Sequence, residues 1–166
     1  MRSNPTVKKL IIALKYEIMA PSIHLNIGSI LLATLASFIL GFIWYSVIVA
    51  KAWRAEMGVS DDMQYSKKRM VLSLVLNFVG TFLMSFVLTH NIQAWDAKSW
   101  GHQNNFVSPY YAAWMSAVFT WLGFYLPQDF NKISFQNRSW KLFFIDTTYN
   151  YLSLLVAAFI LIFCSC

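Results

Sequence analysis

Polar side chains at helical spacing inside long apolar stretches are the first candidates for chemistry in this sequence. Asp146, Asn150 and Ser153 follow one another at intervals of four and three residues, so one helix face carries all three. Ser73 and Asn77 form a similar stripe on another apolar stretch. Amide and carboxyl groups are costly in lipid, so these side chains are expected to face a partner or a cavity.

Two interpretations of these stripes stay open. Asn77 and Asn150 could hydrogen-bond across a helix bundle and hold its register, which is the ordinary role of amides between membrane helices. Alternatively, Asp146 and Asn77 could line a hydrated cavity for an ion or a small polar solute. Asp146 lies about one turn inside its apolar stretch, where a charge is tolerable, so it is the first functional candidate.

Three histidines, His24, His90 and His102, could converge on zinc, copper or haem, since imidazole is a common ligand for each. No two of them stand four residues apart, and no C-x-x-C motif occurs. The two cysteines, Cys164 and Cys166, lie at the C-terminus and fit no zinc-type spacing. We therefore predict no metal and no cofactor, and interpret the histidines as interfacial or solvated.

The stretch "GFIWYSVIVAKAW", residues 41–53, ends an apolar run with Trp44, Tyr45, Lys51 and Trp53. Its rings could form a cage for a cationic headgroup, but Lys51 would repel such a guest. Indole and phenol rings also favour the membrane–water interface, where a lysine can reach an anionic lipid phosphate. We therefore predict an interfacial rim, to which two further tryptophans belong: Trp121 and Trp140.

The composition is that of a membrane protein. The 166-residue chain is 58% hydrophobic and only 12% charged, against about 25% charged in soluble domains. Its mean hydropathy is +0.51. The net charge of +6 comes from Lys and Arg scattered between apolar runs, which does not form the continuous basic stripe of a nucleic-acid-binding protein. A bilayer with anionic headgroups is the predicted partner of that charge.

Four stretches are apolar enough to cross a bilayer, which takes about 20 residues. They run from about 25–49, 70–89, 110–126 and 142–163, and none has an internal Lys or Arg. Backbone polar groups in lipid must be satisfied within each segment, so the predicted fold is an all-α integral membrane protein with a four-helix transmembrane bundle at 23–166.

Residues 1–22 form a separate predicted element. Val7, Leu10 and Ile11 lie on one helical face, Lys8 and Lys9 lie elsewhere, and proline stands near both ends. This pattern predicts an amphipathic helix in the membrane interface. A cleavable signal peptide is the alternative, but charged residues interrupt what would be its apolar core.

The positive charges predict an orientation. With four spans, the side that holds both termini has five Lys and Arg, and the side that holds loops 50–69 and 127–141 has eight. The positive-inside rule therefore places those two loops in the cytoplasm and both termini outside.

A short internal repeat is visible in the sequence. Residues 40–42 and 122–124 both read Leu-Gly-Phe near the end of a predicted span. Two hairpins in the same orientation would be related by an axis along the membrane normal, as in some transporters. Three matching residues are equally compatible with chance.

Several motifs resemble those of a bacterial family of small four-span inner-membrane proteins, domain of unknown function family 1761. They are Gly41-x-x-Trp44-Tyr45-Ser46, Lys51-x-Trp53 and Met57-Gly58, then "WLGF" at 121–124, "WKLF" at 140–143, and Tyr149. The resemblance covers about 25–163. It implies four membrane helices with outward termini, and no known activity. Asp146 and Asn150 stand where the family is expected to have an amide and a histidine, and the N-terminal helix is an extension.

Three functions are compatible with these patterns. The first is an accessory or assembly subunit, as a homo-oligomer or within a larger inner-membrane complex, because small-residue faces occur without a catalytic motif. The alternative is a small solute or ion transporter or channel subunit with a polar site near Asp146. The third is an oxidoreductase that binds metal or haem through its histidines.

Overall fold

The computed structural model describes residues 4–18, 21–59, 66–104 and 106–164, and within these ranges all regular structure is helical. The α-helices are α1 Pro5–Ile18, α2 Ile27–Ile43, α3 Ala50–Met57, α4 Lys67–Ala94, α5 Pro109–Thr120, α6 Leu126–Gln136 and α7 Trp140–Phe163. Two π-helical segments, π1 Trp44–Ile48 and π2 Trp121–Tyr125, continue α2 and α5, and a short 3₁₀ helix spans Ala97–Trp100.

Local sequence explains where the long helices begin. Asn26 accepts a hydrogen bond from the Ser29 amide and caps α2, while Ser139 caps α7 in the same way. Ser108 precedes Pro109 at the start of α5, where proline loses no helical hydrogen bond. These caps satisfy amides that have no partner within the first helical turn.

The core lies between α2, α4, α5 and α7, with α2 and α7 at its centre. Alanines occupy many of the contact positions and let the helix backbones approach closely. Larger side chains fill the space between them. The buried apolar cluster comprises Ile30, Ala33, Leu88, Ile92, Ala113, Ala117, Leu154, Ala157, Ala158 and Leu161.

Three helices are long and apolar enough to cross a membrane: Ile27–Ile48, Lys67–Ala94 and Trp140–Phe163. They correspond to the first, second and fourth predicted spans. The third prediction, 110–126, is not confirmed as a span, because α5 and π2 together cover only Pro109–Tyr125 and continue directly into the polar helix α6. The predicted loops 50–69 and 127–141 contain α3 and α6, so much of each is helical.

The order of elements repeats once along the chain. A helix, a π segment, a short helix and a long helix occur as α2–π1–α3–α4 and again as α5–π2–α6–α7. Each π segment begins with a tryptophan, Trp44 or Trp121. This register equates Trp44 with Trp121, which differs from the register of the Leu-Gly-Phe triplets.

The predicted N-terminal helix is present as α1, and Val7, Leu10 and Ile11 are exposed on it. Residues 1–3, 19 and 20 of the predicted 1–22 element lie outside the described residues, as does Cys166. An interfacial position for α1 remains a prediction.

Candidate functional site

A cavity of about 330 Å³ lies at the end of the molecule where α3 and α6 pack beside the start of α7; we call this the α3–α6 end. It combines aromatic, aliphatic and charged walls. Its lining residues are Tyr45, Trp53, Met57, Asp129, Lys132, Ile133, Gln136, Arg138, Leu142, Phe143 and Asp146.

Asp129 is the most buried charged residue of this cavity, with 1% of its surface exposed. Its Oδ1 lies 2.7 Å from the Lys132 ammonium one turn along α6, and its Oδ2 accepts a 3.2 Å hydrogen bond from the Asn150 amide of α7. Asp129 also stands in the first turn of α6, where the helix dipole favours a negative charge. Both carboxylate oxygens are therefore partnered.

Asp146 of α7 provides the second carboxylate. Its Oδ1 accepts a 2.9 Å hydrogen bond from the Tyr45 hydroxyl, and its Oδ2 lies 4.0 Å from the Lys132 ammonium. Lys132 thus stands between two carboxylates, close to Asp129 and farther from Asp146. The result is a continuous polar chain from Tyr45 to Asn150.

Aromatic packing positions Tyr45. Its ring meets Trp53 edge to face at a centroid distance of 5.8 Å and Tyr149 at 5.1 Å. Tyr149 in turn lies against the backbone of Gly41, where a β-carbon would stand 2.6 Å from the tyrosine oxygen. Glycine at 41 therefore allows this approach.

The two π segments hold the backbone of α7 on both sides of Asp146. The Trp44 indole donates a 3.3 Å hydrogen bond to the Ile145 carbonyl, and the Trp121 indole donates 3.1 Å bonds to the carbonyl and hydroxyl of Thr147. Single-turn π insertions within α-helices are frequent at functional sites. Here they bring two equivalent indoles to neighbouring carbonyls.

Two further contacts join α3 to the residues at the start of α7. The Ser139 hydroxyl donates a 2.5 Å hydrogen bond to Glu56 Oε2, and the Lys141 ammonium lies 3.4 Å from Oε1. The Ser139 hydrogen bond and the Lys141 charge hold the pKa of Glu56 below its usual range. These contacts fasten α3 to the start of α7.

A second cavity, of about 190 Å³, lies between α4, π2 and α7. Asn77 lines it from α4, while Asn150 and Ser153 line it from α7. The structure therefore brings the two predicted polar stripes together, and Asn150 joins them to Asp129. Ser73 lies outside this meeting point: it is exposed, and its hydroxyl donates to the Arg69 carbonyl.

The predicted interface residues divide into two groups. Trp44, Tyr45, Trp53 and Trp121 turn toward the bundle and its cavities, as their hydrogen bonds and ring contacts show. Two others remain on the surface: Lys51 and Trp140.

The histidines lie apart within the described chain, where no three His, Cys, Asp or Glu side chains form a group that could hold a metal ion. His24 borders a cavity of about 630 Å³ at the opposite end of the molecule, and its backbone exchanges two hydrogen bonds with the Gln93 amide group. His90 contacts the Phe86 carbonyl, and His102 contacts the Phe106 ring.

Sequence reasoning missed Asp129, Lys132 and Arg138 because they were assigned to a loop. A usable signal was present in "LPQDFNKISFQ", 126–136, where Pro127 suits a first helical turn and Asp129 and Lys132 stand one turn apart. Reading this segment as an amphipathic helix would have placed Asp129 and Lys132 on one helical face. Only the fold shows that Asp129 meets α7.

No curated protein and no solved structure matches this chain. The family model described as protein of unknown function (DUF1761) matches residues 29–162, which include nearly all of α2, all of α3 to α6 and nearly all of α7. The chain therefore belongs to the DUF1761 family, whose function is not known.

Proposed function

We propose that the protein is a four-span protein of the bacterial cytoplasmic membrane that binds a small polar solute or ion at the α3–α6 end and moves it into the bundle. The three long apolar helices support a membrane location. The fourth span would be α5 with π2, which together pack along α7.

The observation that carries the proposal is the burial of Asp129. A buried carboxylate costs several kcal/mol even when it is paired, so such groups within membrane proteins commonly serve a substrate or an ion. The polar chain from Tyr45 through Lys132 to Asn150 extends from the first cavity to the second, as transport into the bundle requires.

The distribution of charge supports an orientation for this site. Eight of the 13 Lys and Arg residues lie in the two segments that contain most of α3 and α6, residues 50–69 and 127–141. The positive-inside rule then places the cavity on the cytoplasmic side and both termini outside. Lys51 and Trp140 would meet the anionic lipid headgroups at that surface, and α1 would lie in the opposite interface.

The buried apolar cluster separates this site from the 630 Å³ cavity at the other end. Ile30, Leu88 and Leu154 are fully buried at its centre. A solute that entered from the α3–α6 end would therefore need a movement of α2, α4 or α7 to leave on the other side, which is the behaviour of a transporter and not of an open pore.

Flux into proteoliposomes tests the proposal. The substrates are H⁺, Na⁺, K⁺ and small amino acids. Asp146→Asn and Asp129→Asn should each lower the flux at least tenfold. Asp96→Asn, which removes a carboxylate at the opposite end, should not. Each variant is first checked for an unchanged elution profile. Absence of flux for every substrate in the unaltered protein would reject the proposal.

An assembly role is the second candidate, and one observation favours it. Every residue from 66 to 80 is exposed, including the polar Ser73 and Asn77. Lipid chains cannot hydrogen-bond to an amide, so a second copy of this chain could pack against this half of α4. The mass of the protein in nanodiscs should then be that of an oligomer, and Asn77→Leu should shift it toward the monomer. A monomer at all concentrations would exclude this role.

A further inference from the structure

We infer that the cavity at the α3–α6 end accepts a zwitterion, meaning a ligand with one ammonium group and one carboxylate or phosphate group. The inference rests on the proposed function and adds the chemical class of its solute. It follows from two charged groups that both line this cavity and still have free hydrogen-bonding capacity: the Asp146 carboxylate and the Arg138 guanidinium.

The carboxylate is that of Asp146. Tyr45 occupies its Oδ1, whereas its Oδ2 is 4.0 Å from Lys132, which is longer than a hydrogen bond. Tyr45, Trp53 and Phe143 supply aromatic walls to the same cavity. A carboxylate oxygen beside aromatic rings is a favourable environment for an ammonium group, through charge pairing and cation–π attraction.

The guanidinium is that of Arg138. Its Nη1 donates to the Met57 sulfur at 3.0 Å, which is its one side-chain hydrogen bond to the described residues. A thioether is a weak acceptor. Arginine carries five N–H donors in a planar fork that matches a carboxylate or phosphate. Lys132 is already committed to Asp129, so Arg138 is the cation left for an anionic group.

Charge balance and size agree with a zwitterion. The lining contains two carboxylates, Asp129 and Asp146, and two cations, Lys132 and Arg138. A ligand without net charge keeps this balance, whereas a simple cation or anion would leave one charge unpaired in a partly buried site. At about 330 Å³ the cavity falls at the small end of ligand sites, which span roughly 300–1,000 Å³.

Two kinds of molecule carry this chemistry: free amino acids, and the headgroup of phosphatidylethanolamine. Titration calorimetry in nanodiscs of pure phosphatidylglycerol tests the shared chemistry. The probes are glycine, β-alanine, γ-aminobutyrate and glycerophosphoethanolamine, each with one positive and one negative charge, and ethylamine and propionate are the matched compounds that lack one charge. At least one zwitterion should bind about tenfold or more tightly than either single-charge compound.

Variants of the two groups provide the second readout. Arg138→Gln and Asp146→Asn should each weaken zwitterion binding about tenfold or more. Lys51→Gln removes an exposed cation of α3 that does not line the cavity, and should leave binding unchanged. Repeating the titration in nanodiscs that contain phosphatidylethanolamine separates the two sources, because a resident headgroup would compete with the soluble zwitterions, whereas a site for free amino acids would bind equally in both lipids.

The outcomes distinguish this inference from the function on which it rests. If ethylamine binds as tightly as every zwitterion and still depends on Asp146, the zwitterion inference is overturned while the solute site stands. If Arg138→Gln has no effect on zwitterion binding, the anionic half of the inference is likewise overturned. If no ion, amine or zwitterion binds in either lipid, both proposals fail.

Discussion

At the scale of single residues, the two carboxylates at the α3–α6 end have different roles. Both oxygens of Asp129 are bonded, one to Lys132 and one to Asn150, so Asp129 links α6 to α7. Asp146 has one oxygen bonded to Tyr45 and one facing the cavity without a hydrogen bond from the described residues. Asp146 is therefore the carboxylate with capacity for a ligand, and Asp129 positions Lys132.

The contact between Gly41 and Tyr149 provides a prediction at this scale. Gly41→Ala would place a β-carbon 2.6 Å from the Tyr149 oxygen and 3.2 Å from the ring, so the ring must move. We expect a loss of about 1–3 kcal/mol in the free energy of unfolding. Thermal unfolding in nanodiscs would measure it.

Gly80→Ala is the matched control, because a β-carbon there meets nothing within 4 Å and alanine favours the helix. Adding Tyr149→Phe to Gly41→Ala removes the closest atom and should recover part of the lost stability. Equal stability of the Gly41→Ala and Gly80→Ala proteins would show that the Tyr149 contact is not tight.

At the scale of elements, the π segments connect each half of the chain to α7. Each segment also contributes a tyrosine: Tyr45 of π1 donates to Asp146, and Tyr125 of π2 lines the second cavity. The two indoles bond to Ile145 and Thr147, the residues on either side of Asp146. The repeat therefore converges on one point of α7.

Removal of an indole N–H tests this arrangement. Trp44→Phe and Trp121→Phe should each lower the free energy of unfolding by about 1–2 kcal/mol, from the lost hydrogen bond and the smaller ring. Trp140→Phe is the control, because Trp140 is 59% exposed. Chemical denaturation of the three variants would rank them. An equal effect at all three positions would contradict a special role for the π segments.

At the scale of the whole molecule, the two ends differ. The α3–α6 end has a cavity lined by the buried Asp129. The opposite end has a larger cavity bordered by His24 and Gln93. An apolar cluster of small and branched side chains lies between them. In the proposed membrane position, the number of crossings depends on α5 and π2, because they connect Pro109 at the opposite end with α6.

Labelling of single cysteines tests this crossing. In a protein with Cys164 and Cys166 changed to serine, Lys98→Cys precedes α5 and Gln136→Cys ends α6. If α5 and π2 span the bilayer, a membrane-impermeant maleimide should label position 98 only from the outside and position 136 only in inverted vesicles. Labelling of both positions from the same side would indicate three spans. The two termini would then lie on opposite sides of the membrane.

The sequence by itself determined the helical class and the positions of the three long apolar helices, because hydropathy and helix capping are local properties that act through neighbouring residues. It also identified Asp146, Asn150 and Asn77 as polar exceptions within apolar stretches. The resemblance to the DUF1761 family rested on motifs that the structure places in α2, π1, α3, π2 and α7.

Only the tertiary structure decided which of these residues meet. Asp129 stands in a polar segment of ordinary composition, and its burial results from the packing of α6 against α7, a contact between residues 21 positions apart in the chain. The Trp44 indole of π1 likewise donates its hydrogen bond to a carbonyl 101 residues away. Side-chain type and spacing determine which helix face is polar, but the packing of helices determines what that face contacts, and the site lies in those contacts.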